Sequence, residues 1–223
     1  MNHSVIIVAG GSGSRMGGDV PKQFLPLAGK PILMHTIEAF YRFDNQMQIV
    51  VVLPRAQHSY WDKLCQKHSF NSIHYQLTSG GETRFHSTLN GLQMLSTEGI
   101  IAVHDGVRPL VSQATLQRCF DAAERAKAVV PAVPVNESLR QVDGTENHAV
   151  SRDAYRIVQT PQVFDAATLH AAFRQPYSTA FTDDASVVES MGVPITIVDG
   201  NFENIKITRP IDLFVAEAVI SRK

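Results

Sequence analysis

The chain has 223 residues, 44% of them hydrophobic, with 20 Lys and Arg against 21 Asp and Glu. The hydrophobic share is that of a globular protein with a buried core. The balanced charge argues against a nucleic-acid binder, which ordinarily carries a basic excess, so any attraction for anions must come from a local site.

The N-terminal apolar run in MNHSVIIVAGG is too short for a signal peptide or a membrane span, and a soluble, cytoplasmic protein is expected. The run reads instead as a strand, VIIVA (5–9), passing into the loop AGGSGSRMGG. A helix is expected from Pro31, a residue suited to a helix start, with Ile32, Leu33, Ile37 and Phe40 on its apolar stripe. Strands follow at IVVVL (49–53) and IHYQL (73–77). The turn SGGETRFHS then leads into a helix after Glu82, striped by Phe85, Leu89, Leu92 and Leu95. IIAVH (100–104) is a further strand, a helix covers roughly 113–128, and VVPAVPV (129–135) is the next strand. LRQV, a turn at Asp143-Gly144 and HAV break this rhythm with a hairpin pattern. Helices at 165–174, 183–191 and 210–221, the second capped by Thr182, and strands at ITIV (195–198) and NIKI (204–207) complete the chain. Cys65 and Cys119 lie outside any CxxC spacing, so neither a zinc site nor a disulfide scaffold is supported.

Strand–helix alternation with strands apolar throughout implies an α/β fold. Its expected form is a doubly wound, mostly parallel, Rossmann-like sheet covered on both faces, with ligands at the carboxyl ends of the strands. One domain is expected over 1–223, with the hairpin inserted as an arm at about 137–158. A lone two-stranded hairpin is marginal, so the arm should pack on something.

The glycine-rich loop after the first strand is the clearest chemical signal. It is not a P-loop, since no Gly-Lys-Ser/Thr occurs, and it is not a dinucleotide fingerprint, since Met16 takes the third glycine position. The next strand ends in Pro54 and Arg55 rather than in an acid for a ribose, which also disfavours a dehydrogenase. What remains is bare backbone able to approach an anion, with Arg15 and Lys22 supplying charge, or else a structural turn with solvated cations. Asp105 closes a strand, where a carboxylate can hold Mg²⁺ against phosphate oxygens; alternatively it pairs with Arg108 to steady a turn. His104 reads as a structural histidine. Arg84 reads as a surface helix residue, Arg152 as solvated and Lys206 as an edge-strand charge.

GSGSRMGGDVPKQFLPLAGKPIL resembles the opening of nucleotidyltransferases that activate sugars and polyol phosphates. Six ordered motifs extend the likeness over nearly the whole chain: this loop, SGGETRFHST, VHDGVRPLV, VSRDAYRIVQTPQVF, FTDDASVVE and ENIKITRPIDL. Together they resemble the 2-C-methyl-D-erythritol 4-phosphate cytidylyltransferase family of the non-mevalonate isoprenoid pathway. The resemblance implies a nucleotide-diphospho-sugar transferase type of fold, CTP as co-substrate, Mg²⁺ or another divalent cation on Asp105, and a homodimer formed through the arm. It implies nucleotide contacts from Ala9, Gly10, Gly11, Gly13, Gly81, Glu82, Ser87, Asp105 and Gly106, with Glu82 standing where family members often carry Asp. Polyol phosphate contacts are implied for Arg108, Ser138, Arg152, Thr160 and Lys206, Arg152 reaching across the dimer. Arg15, Lys22, Arg152 and Lys206 are the implied catalytic cations, with no nucleic-acid or membrane partner.

The same motifs leave a ribitol 5-phosphate cytidylyltransferase as the alternative substrate reading. A non-catalytic nucleotide-binding module is a more remote one.

Overall fold

A computed structural model of the chain describes residues 2–10 and 20–222. In chain order its first half comprises β1 (His3–Val8), β2 (Pro26–Leu27), β3 (Lys30–Pro31), α1 (Ile32–Phe43), β4 (Gln48–Leu53), α2 (His58–Lys67), β5 (Gln76–Ser79), α3 (Arg84–Leu92) and β6 (Ile100–Asp105). The second half comprises α4 (Gln113–Ala123), β7 (Ala128–Pro134), β8 (Leu139–Asp143), β9 (Glu146–Val150), β10 (Arg156–Val158), β11 (Gln162–Asp165), α5 (Ala166–Ala172), α6 (Asp184–Glu189), β12 (Thr196–Asp199) and α7 (Pro210–Ile220).

Among the described residues the main sheet runs β5-β4-β1-β6-β11-β7, with β10 and β12 also paired to β7. β5, β4, β1 and β6 are parallel, as are β7 and β12, while β10 and β11 run against their neighbours. β1 explains why such strands read as unbroken apolar runs. Val5 and Ile7 enter a layer with Phe40 of α1, Trp61 of α2 and Phe120 of α4. Ile6 enters the opposite layer with Phe85 and Leu92 of α3, Leu169 of α5 and Val188 of α6. Successive strand side chains face opposite sides, so a sheet covered twice needs no polar alternation. A smaller cluster places Ala216 of α7 against Leu27, Ile32, Val107, Leu110 and Ile207.

The structure departs from the sequence expectations in specific places. NIKI (204–207) is not a strand: it is joined to the loop after β6 by a single backbone bond, Ile207 N to Val107 O at 2.9 Å, with no ladder beside it. The strand expected at 73–77 is displaced to β5, because it is Gln76–Ser79 that pair with β4, while Ile73 fills the core from a loop. Asp183, not Thr182, caps α6, accepting from the Ser186 N–H at 2.9 Å. Leu95 lies beyond the end of α3, and α4 stops short of 128. α2 carries no helical stripe in the sequence, because Trp61 is its one fully buried residue. The strands β10 and β11, on either side of a cis Thr160–Pro161 bond, were also unforeseen. The hairpin stands as expected: β8 pairs with β9 in a separate two-stranded sheet and turns at Gly144, whose φ of 58° suits glycine.

Close packing of α3 on the sheet rests on Gly91. A Cβ there would come within 2.6 Å of Ile6 Cγ2 and 3.2 Å of Val52 Cγ2. Gly91→Ala is therefore expected to destabilise by about 1–3 kcal/mol through overpacking, against a helix-propensity gain of about 1 kcal/mol. Urea unfolding checks the sign, and adding Ile6→Ala in the same chain should recover part of the overpacking loss.

Candidate active site

The carboxyl ends of β1, β5 and β6 open onto one cleft of about 210 Å³. Its walls include Ala9 and Gly10 after β1, Gly81, Glu82, Thr83, Arg84 and Ser87 where α3 begins, Asp105 at the end of β6, and Lys22, Gln23 and Lys206. Parallel strands leave their carboxyl ends on one edge, and the turns that follow them meet there.

The backbone of this cleft is held close. Ala9 N donates to Val52 O and Gly106 N to Val8 O, both at 2.9 Å, extending the sheet by one step beyond β1 and β6. A Cβ on Gly106 would lie 2.7 Å from Ala9 Cβ, so the two backbone segments touch at the cleft. Gly81 N donates to the buried Ser87 Oγ at 3.1 Å, and Gly80 N to Leu53 O at 2.9 Å. Thr83 caps α3 by accepting from His86 N. Ser87 thus shapes the turn that carries Gly81 and the exposed Glu82.

Asp105 is the floor of the site. It is 6% exposed, yet faces three cations: Arg108 Nε and Lys206 Nζ each lie 3.1 Å from Oδ2, and Arg84 Nε lies 3.7 Å from Oδ1. Burial by itself would raise its carboxyl, but Arg84, Lys206 and Arg108 outweigh burial and hold it well below the usual carboxylate range. Asp105 is therefore a fixed anion at ordinary pH. Arg108 also donates from Nη1 to Asn204 O at 2.7 Å.

A polar network sets the Asp105 backbone. Asp105 N–H donates to Thr160 Oγ1 at 3.1 Å, and the Thr160 hydroxyl faces His104 Nδ1 at 3.0 Å. His104 Nε2 lies 3.1 Å from Arg108 O. Nε2 donates to that carbonyl, and in the neutral ring Nδ1 is left to accept from the Thr160 hydroxyl. Burial pushes the His104 imidazole down to about 4, against partial support from its bond to Arg108 O. The loop bearing Lys206 is tied to the same network, since Asn204 Nδ2 donates to Thr160 O at 2.8 Å and Gln159 Nε2 to Asn201 O at 2.8 Å. Ile207 is fully buried beside Val107, so its neighbour Lys206 reaches the opposite way, towards Asp105.

The structure thus brings together Ala9, Gly10, Lys22, Gly81, Glu82, Ser87, Asp105 and Lys206 along the cleft, with Gly106, Arg108 and Thr160 behind it. Gly11, Gly13 and Arg15 lie outside the described residues. Arg152 and Ser138 do not line this cleft: both are exposed at the arm, where Arg152 Nη1 donates to Asn136 O. Arg84 is not the surface residue the sequence suggested. It lines the cleft and pairs through Nη1 with Asp184, a wholly buried carboxylate that also accepts from Thr88 Oγ1 at 3.0 Å. No local spacing links Arg84 and Asp184, so sequence reading had no signal for the pair; the same holds for Asn204 and Gln159.

A metal ion would find a limited set of donors. Among the described residues no three His, Cys, Asp or Glu side chains gather as a metal cage. Asp105 Oδ1 accepts no hydrogen bond from them, unlike Oδ2. A single carboxylate oxygen fits Mg²⁺, which keeps waters and substrate phosphates as its other ligands.

The neutrality of buried His104 has a measurable consequence. An imidazole near 4 in the folded protein and about 6.5 when unfolded binds fewer protons folded, so its share of stability is whole above pH 6.5 and is lost as pH falls towards 4. That share is on the order of 3 kcal/mol. Melting temperature followed from pH 7 to pH 5 should fall more steeply in the parent than in His104→Gln, which starts lower but lacks this titration.

The 2-C-methyl-D-erythritol 4-phosphate cytidylyltransferase family model matches residues 3–222. Relatives bearing that name are 53% identical in Bacteroides thetaiotaomicron and 54% identical in Bacteroides fragilis, each over 99% of this chain and 100% of the relative. The crystal structure of the Thermus thermophilus protein of that name superposes with a TM-score of 0.81 at 32% identity, covering 99% of this chain and 100% of that one.

Proposed function

The chain belongs to the 2-C-methyl-D-erythritol 4-phosphate cytidylyltransferase family, and we propose that its reaction runs in the cleft floored by Asp105. The enzyme joins CTP and 2-C-methyl-D-erythritol 4-phosphate, giving 4-diphosphocytidyl-2-C-methyl-D-erythritol and pyrophosphate in isoprenoid precursor synthesis. A phosphate oxygen of the polyol attacks the α-phosphorus of CTP, and the bond from that phosphorus to the β-phosphate bridging oxygen breaks. The nucleophile is already an anion, so no general base is needed. The barrier lies in bringing two anions together and in stabilising charge as pyrophosphate departs.

The observation that carries this reading is a nearly buried carboxylate at a strand end, ringed by Lys206, Arg108 and Arg84 beside exposed glycine backbone. Gly10 and Gly81 offer backbone to the nucleotide, and Ser87 holds the Gly81 turn for it. Lys22 and Arg15 neutralise the triphosphate, Lys22 from the cleft wall. Lys206, 39% exposed at its side chain, neutralises the α-phosphate and positions the attacking oxygen. Glu82, Gly11, Gly13 and Ala9 complete the nucleotide side, and Arg108 and Thr160 support the polyol side. A divalent cation such as Mg²⁺ on Asp105 would neutralise phosphate oxygens that the side chains leave unpaired.

Ser138 and Arg152 enter this scheme through a second copy of the chain. The arm is exposed from Arg140 to Ala149, with Leu139 and Val150 half-buried at its base, and Val142, Tyr155, Ile157 and Val158 are 68, 45, 50 and 41% exposed. Those side chains favour burial against a partner. A homodimer in which each arm lies over the other's cleft would bring Arg152 to the polyol phosphate. The substrates are water-soluble phosphates, which agrees with a cytoplasmic enzyme.

Pyrophosphate release is expected with CTP, Mg²⁺ and methylerythritol phosphate, and much more slowly with ribitol 5-phosphate or with UTP. Lys22→Ala and Lys206→Ala should each lower kcat by about 10²–10³-fold, well beyond any effect on folding. Parent-like turnover in either variant removes that residue from the mechanism. Mixing inactive Arg152→Ala and Lys206→Ala chains should restore turnover if the site is shared between subunits. Continued inactivity of mixed dimers would confine it to one chain.

A further inference from the structure

Arg84 stands between two buried carboxylates and satisfies them unequally. Its Nη1 hydrogen-bonds Asp184 Oδ2, but its Nε stays 3.7 Å from Asp105 Oδ1, near enough for charge attraction and too far for a hydrogen bond. Asp184 is itself fixed from two sides, by Arg84 at Oδ2 and by Thr88 Oγ1 at Oδ1. It is 1% exposed and starts α6, a short helix pinned beneath by Val187 and Val188 in the core. Asp105 Oδ2 is meanwhile taken by Arg108 and Lys206. Oδ1 is therefore the one Asp105 oxygen that accepts no hydrogen bond among the described residues.

The geometry points to Asp184 as a positioning residue that holds the Arg84 guanidinium away from Asp105 Oδ1 and so keeps that oxygen open to the cation-bearing nucleotide. This rests on the reading of the cleft as a cytidylyltransferase site. The physical reason is competition. A buried guanidinium keeps a carboxylate partner wherever one is in reach, because its unpaired burial is costly. With Asp184 replaced by a neutral amide, Asp105 is the remaining carboxylate ion-paired with Arg84 among the described residues. A shift of less than about 1 Å then closes a hydrogen bond onto Oδ1. Arg84 is 29% exposed and lines the cleft, so its guanidinium sits on the side of Asp105 that faces the ligand space.

The test is calorimetric titration of CTP into the full-length protein with Mg²⁺ and again with EDTA, using the parent, Asp184→Asn and the double variant Asp184→Asn/Arg84→Gln. Asp184→Asn should weaken CTP binding in Mg²⁺ by about tenfold or more, as loss of an outer partner of a metal ligand does. Binding in EDTA should change by less than about twofold, since no metal contact is lost there. The double variant leaves neither charge buried alone, so it should fold even if Asp184→Asn does not. It should recover magnesium-dependent binding to within about threefold of the parent, because glutamine does not compete for Asp105. Parent-like binding by Asp184→Asn, equal weakening in both buffers, or a folded double variant without the recovery would each overturn the proposal. Failure of the parent to bind CTP in either buffer would instead overturn the cytidylyltransferase reading of the cleft.

Discussion

One carboxylate organises the cleft at the carboxyl ends of the strands. Asp105 is nearly buried, and Arg84, Arg108 and Lys206 together hold it as an anion there. Each cation arrives from a different part of the chain: Arg84 from the start of α3, Arg108 from the loop after β6, and Lys206 from the segment before α7. Their convergence on one oxygen pair draws the last third of the protein onto the strand ends. The cluster carries more positive than negative charge, in a protein whose formal net charge is −1. Cations concentrated in one cleft attract phosphates without a basic surface.

The proposed chemistry follows from that arrangement. Transfer of a nucleotidyl group needs little from the protein beyond orientation and compensation of charge. Fixed cations achieve this only if they cannot relax towards each other's counterions. The neutral His104, the Thr160 hydroxyl and the Asn204 amide serve that rigidity: none of them carries charge, and each fixes a backbone or side chain that does. Their burial makes them strong organisers, because an unmade hydrogen bond there is costly.

Much of this was legible locally. The runs VIIVA and IVVVL, apolar throughout, implied strands covered on both faces, and Ile6 facing away from Val5 and Ile7 is the structural counterpart. The placement of Asp105 at a strand end followed from where IIAVH stops. The hairpin at Asp143-Gly144 was written in its turn residues. The α2 helix was not legible, since only Trp61 among its residues faces the core fully. Arg84 looked like a solvent cation because its partners Asp105 and Asp184 are distant in sequence, and no periodicity marks such a pair.

The sequence by itself determined the alternation of strands and helices, the two-faced sheet and, through its ordered motifs, the family and its reaction. These are properties of neighbouring residues, where hydrophobic period, turn chemistry and motif spacing act over a few positions. The tertiary structure alone decided which buried groups answer one another. Asp184 with Arg84, His104 with Thr160, and Lys206 with Asp105 are pairings of charge and hydrogen bonding across a folded core. Desolvation makes them strong only after folding has removed the water between them.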